Sequence, residues 1–434
     1  MPILPRLIIV ALACALGGRI SAQDTTRIFS YVDGLTEREV HAEAADSPVR
    51  AAFSERNALL RQEIRDSVYL FDAELLPYLD SLVRSVREAN GLDTAGLVLI
   101  DYTPETNARS LGSGIIVVNL GLLLSLRYEE ELLFILCHEL AHDRLGHHVA
   151  AIHRSGARSA DLERTIRKLS RPAPMRSNRK TYALHVDLRN AYYSAYRNKR
   201  TSELAADSLA LEYFRNIGRP LYFAATALKD EPHTTTDSLP VDALVNQLAT
   251  PQRPLDPEWL RARPRLFGGA SFGSGNEEPE ATFWQTDSLQ THPAQRERQD
   301  GLRRAMEADG IAEYDTIGSP LPPAALLYRR LAEGQMQRGA YGPALVITFR
   351  MLLHSPEDPD LRQMSAQALY AVYRAAVNNT FDEAVPPAGY FGSEASRTLI
   401  GMLRRMTTDQ LRELTAAYLA HAAPAVYADA RAQL

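Results

Sequence analysis

Cysteine is nearly missing from this chain: two in 434 residues. Cys14 lies in an N-terminal apolar stretch, and Cys137 stands alone in the remainder. Once the N-terminal stretch is removed no internal disulfide can form, so folding rests on core packing. A strong excess of one charge is also lacking, since 48 Lys and Arg stand against 53 Asp and Glu for a net −5. That balance excludes a general nucleic-acid binder. Beyond the N-terminus no run reaches the ~18 apolar residues of a membrane helix, which predicts a mature chain without a transmembrane helix.

The first stretch, "MPILPRLIIVALACALGGRISAQD", has an early arginine, a short apolar core and small residues before Gln23. It predicts a signal peptide over 1–22, cleaved after Ala22, and hence an exported, periplasmic protein, the alternative being a lipoprotein anchored through Cys14 and so membrane-associated. Residues 23–52 read as an N-terminal lead-in. Residues 53–90 carry apolar groups at helical spacing, up to the turn "NGLD". "LVLID" (97–101) and "GIIVVN" (114–119) read as strands. Residues 144–200 are basic, their only acids being Asp161, Glu163 and Asp187. Residues 229–290, rich in Pro, Thr, Gly and Asp, read as an irregular insertion. From 322 to 434 the spacing turns helical. Tyr328, Leu331, Ala332, Ala344 and Pro356 fall at tetratricopeptide offsets, with "RGAY" at the internal turn.

The chemistry concentrates in "EEELLFILCHELAHDRLGHH" (129–148). A run this apolar forms a buried helix, where ionisable groups are costly unless something pairs with them. His138 and His142, four apart, project from one helix face and can share a metal. Glu139 lies near enough to take a proton from a water at that metal without ligating it. A third ligand is needed, and "SELAAD" offers Glu203, with Asp207 four residues on to fix a ligand histidine or another polar group. Zinc suits such a three-ligand set with a fourth position left for water. His147 and His148 read as solvent-exposed, and Cys137 as a small buried hydrophobe.

"HELAH" followed by "ELAAD" resembles the zinc metallopeptidases typified by HtpX and the CAAX prenyl proteases, especially their soluble, exported BepA-like branch. "NARSLGSGIIVVNLGLL" (107–123) is similar to the family's strand and Gly-Leu-Leu turn, and "THPAQRERQDGL" to its His-Pro segment. The resemblance covers about residues 55–305. It implies one zinc per chain on His138, His142 and Glu203, with Glu139 as general base and Asp207 in a proton-donor or supporting role. It places His292 near the zinc as a gating or oxyanion-binding group, and Arg298 six residues after it among the substrate-binding residues. Gly114, Ile115, Ile116 and Val117 would bind substrate by edge pairing. Arg109 and Ser110 depart from the apolar or aromatic pair that the family prefers.

The expected architecture is α+β: a zincin-type peptidase domain over 53–305, mostly helical with a small sheet, then a tetratricopeptide-like helical region over 322–434. The expected substrates are unfolded or misassembled envelope proteins, with a protein partner on the helical region and no nucleic acid. The rival expectation is a periplasmic chaperone or assembly factor with a latent protease site. A structural zinc protein would want four ligands and no adjacent glutamate.

Overall fold

The computed structural model describes residues 22–40, 48–150, 200–228, 240–251, 253–255, 295–308, 317–387, 393–431 and 434. They fall into two compact units, one of residues 22–228 and 295–322, the other of 240–255 and 323–434. The signal-peptide expectation, the body of the basic stretch and His292 lie outside the described residues.

The first unit begins with helix α1 (Ala22–Leu35), a π-helical turn (Thr36–Val40) and α2 (Pro48–Arg65). Strand β1 (Tyr69–Leu70), helix α3 (Leu75–Ala89), and strands β2 (Leu97–Asp101), β3 (Ala108–Gly112) and β4 (Ile115–Asn119) follow. The single helical pattern expected over 53–90 is broken in two. Ser67 sits in the left-handed region, with φ 55°, and the β-branched and aromatic run after it pairs with β2. Next come α4 (Leu120–Ser125), α5 (Glu129–Arg144), α6 (Arg200–Asn216), α7 (Tyr222–Ala227) and α9 (Gln295–Ala308), with α8 (Val241–Val245) placed in the second unit.

The sheet order is β1-β2-β4-β3, with β2 and β4 parallel and β3 antiparallel to β4. Alternation along the strands gives the sheet two buried faces. On one, Leu97, Leu99, Ile115, Val117 and Leu111 pack with Ile28, Val32, Leu35, Leu60 and Ile64 of α1 and α2. The lead-in is thus a layer of the fold. On the other side, α3 packs against β2 and α5 against β3, and α5 packs on α6. Gly121 at the start of α4 is required by a close approach, because a Cβ there would stand 2.1 Å from the carbonyl oxygen of Pro104.

The second unit is helical: α10 (Ala324–Gln337), α11 (Tyr341–His354), α12 (Pro359–Val377), α13 (Phe381–Ala384), α14 (Glu394–Arg405), α15 (Thr408–Ala422) and α16 (Pro424–Ala430). The turn at 338–340 between α10 and α11 is where "RGAY" was expected to reverse the chain. Part of the supposed irregular insertion is a correction. Leu244, Val245 and Leu248 are buried in the same apolar core as Phe349, Leu369 and Leu399, so 240–248 belongs to this unit. Its short period hid it among Pro and Thr residues. No helix among the described residues is long and apolar enough to cross a membrane.

Candidate metal centre

Helix α5 is held at its start by its own glutamates. Glu131 accepts hydrogen bonds from the backbone N–H groups of Arg127 (2.8 Å) and Tyr128 (3.3 Å). Glu130 accepts from the N–H and the hydroxyl of Ser319, each at 2.8 Å. These carboxylates also suit the positive end of the helix dipole. Further along, Cys137 is buried and free, its thiol pKa pushed up by burial.

One turn of α5 brings His138 and His142 together with their Nε2 atoms 2.9 Å apart. Glu203 of α6, fully buried, faces both: Oε2 lies 3.4 Å from His138 Nε2 and Oε1 3.5 Å from His142 Nε2. One ligand atom from each of the three lies within 4.8 Å of the others. Beside them, Glu139 accepts a 2.7 Å hydrogen bond from the backbone N–H of Ser110 on β3.

The far sides of the two imidazoles have partners as well. His138 Nδ1 donates to Asp207 at 2.9 Å. His142 Nδ1 stands 2.9 Å from His147 Nδ1, and the two rings meet edge-on. The expectation of a solvent-exposed His147 is corrected here: α5 ends at Arg144, and the turn through Gly146, at φ 63°, folds His147 back. Only an unbroken helix would have put it on the opposite side. Arg298 on α9 donates to both oxygens of Asp207, at 2.7 and 2.6 Å, and its guanidinium lies 3.7 Å from Glu203.

Burial would raise the Asp207 pKa, but hydrogen bonds from Arg298 and His138 outweigh it and hold the carboxyl well below the usual range. Asp207 is therefore a fixed carboxylate. Burial and Arg298 lower the His138 pKa, yet hydrogen bonds to Asp207 and Glu203 prevail and hold it up at about 9.

Two expectations change with this geometry. Gly114–Val117 cannot take substrate by edge pairing, because β4 is an inner strand bonded to β2 and β3. Gly114 donates its N–H to Asp143, and its carbonyl accepts from Leu97 N–H and Arg87. The edge strand beside β4 is β3, with β1 at the opposite edge; the sequence hid β3 because "ARSLG" carries little β-branched signal. Arg298, expected among substrate-binding residues, instead grips Asp207.

Residues 75–306 match Peptidase family M48, which is more than half of the chain. The chain belongs to peptidase family M48. Membership in M48 implies a zinc metallopeptidase that hydrolyses peptide bonds in protein or peptide substrates. A comparison with curated proteins finds no match.

The residues present fit such an ion. Asp207 holds His138 from its Nδ1 side, which leaves Nε2 to face His142 and Glu203, with one ligand atom of each within 4.8 Å of the others. Two imidazoles with one carboxylate make a donor set suited to zinc, and a bound cation would take the place of the proton on His138.

Proposed function

We propose that the chain is an exported zinc metalloendopeptidase acting on unfolded proteins of the cell envelope. The observation that supports this most is the convergence of His138, His142 and Glu203 beside Glu139. In this reading the three would hold one zinc per chain. When bound, zinc would polarise the scissile carbonyl and lower the pKa of a water.

Glu139 takes a proton from the attacking water as general base and passes it to the leaving amine. The Ser110 N–H fixes one oxygen of that carboxylate, so the base is aimed before substrate arrives. Asp207 holds the His138 ring, and Arg298 keeps Asp207 ionised and in place. An extended peptide would pair with edge strand β3, a mode that reads backbone rather than side chains and suits unfolded substrates. His292, on the family resemblance alone, would gate the zinc or bind the oxyanion. The helical hairpins of α10–α12 would form a tetratricopeptide-like surface for a protein partner.

The test is cleavage of casein by purified protein, before and after chelation. Chelation should abolish cleavage and zinc should restore it. Zinc bound at one per chain without any cleavage would favour the latent-protease chaperone instead.

A further inference from the structure

The β3–β4 turn is built from three successive residues at positive φ: Gly112 (80°), Ser113 (54°) and Gly114 (78°). A two-residue hairpin loop of this kind favours Asn-Gly or Gly-Gly. A serine in the left-handed region is uncommon and needs support from its surroundings. The support comes from the chain's first helices. The Ser113 hydroxyl hydrogen-bonds the Glu39 carboxylate, and the Ser113 carbonyl accepts from the Tyr31 hydroxyl at 2.6 Å. Arg56, itself buried, is ion-paired with Glu39 and donates to the Leu111 carbonyl at 3.2 Å.

Leu111 lies within the register shift between Ser110 and Gly112. Such a bulge re-aims the strand beside it. The residue aimed is Ser110, whose N–H holds Glu139 and whose hydroxyl accepts from the Gly112 N–H at 3.1 Å. On the other side of the turn, Gly114 N–H donates to Asp143, next to His142 on α5, at 3.0 Å. A Cβ on Gly114 would stand 2.9 Å from the Tyr31 hydroxyl, so the two are in close contact. The turn is therefore pinned at once to the zinc-site helix and to a segment that precedes the family-matched residues 75–306.

We propose that Tyr31, Glu39 and Arg56 are positioning residues for the peptidase: they clamp the β3–β4 turn and thereby fix the Ser110 amide that aims Glu139. This rests on the reading of Glu139 as general base. It assigns a function to the N-terminal helices beyond their share of the core, because the polar contacts gather at one turn.

Two measurements test it, on the full chain with zinc supplied. The first is amide hydrogen exchange in Glu39→Ala and Tyr31→Phe. Amides of residues 108–114 should exchange about tenfold faster or more, with those of α6 and of the second unit unchanged. The second is steady-state cleavage of a peptide. In both variants kcat/KM should fall about 10–100-fold, as for a misplaced catalytic group, with zinc stoichiometry held. Glu39→Gln, which keeps an acceptor for Ser113, should recover much of the loss.

Unchanged exchange at 108–114 would overturn the clamp. So would a loss of protection spread evenly over the unit, which marks a merely structural role. Failure of the wild type to cleave any peptide would instead refute the general-base reading, and the exchange result would still decide whether the clamp exists.

Discussion

At the scale of single residues, the site is two imidazoles whose rings are held from behind. His138 leans on Asp207 and His142 on His147, at 2.9 Å each. Partners of this kind orient a ligand ring, and losing one weakens metal affinity about 10–100-fold. His147→Ala should show that loss in a chelator competition, and His147→Gln, which keeps an acceptor, should recover part of it. Equal affinity in wild type and His147→Ala would remove His147 from the frame. Arg298→Ala presents the complementary case, since it leaves a buried carboxylate without its guanidinium. The expected cost is about 3 kcal/mol in denaturant unfolding, and a variant as stable as wild type would mean that Asp207 finds other compensation. His138, His142 and Glu203 were legible as a set because the spacing of four on two helices is a local property. His147 and the true placement of Arg298 were not. The first depends on a left-handed glycine ending α5, the second on α9 returning from far along the chain.

At the scale of elements, the helix that carries His138 and His142 is set against the sheet by Asp143 at its last turn and by Glu139 on the edge strand. β2 and β4 could be read from their β-branched runs, and α5 and α6 from the apolar residues that surround their histidine and carboxylate positions. β3 could not, because its alternation is short and polar, and so the strand open to an extended partner was assigned to its inner neighbour. Gly121 offers a test of how α4 seats between strand and loop. Its N–H donates to the Thr103 carbonyl at 3.0 Å, and the Pro104 backbone leaves no room for a methyl group. Gly121→Ala should destabilise the unit by about 1–3 kcal/mol through forced backbone displacement, read as a lowered Tm. An unshifted Tm would show that the loop at 103–105 yields without cost.

At the scale of the whole molecule, the chain is two units threaded through each other in sequence. The boundary expected near 322 is crossed by residues 240–248, which bury Leu244, Val245 and Leu248 in the helical core. Ending the chain at Pro322 should therefore leave that segment with an apolar face and no cover, seen as dye binding or aggregation; a well-behaved truncated protein would count against this assignment. The sequence concealed the crossing because pattern reading follows chain order, and this segment packs on helices a hundred residues later. The M48 membership and the site together make one claim testable above the rest: Glu139 performs the proton transfer without holding the metal. The measurement is zinc content and casein cleavage of Glu139→Gln beside wild type. The expected result is one zinc in each protein and a fall in cleavage of roughly 10²–10⁴-fold in the variant; a variant that keeps its zinc and cleaves at the wild-type rate would contradict the account.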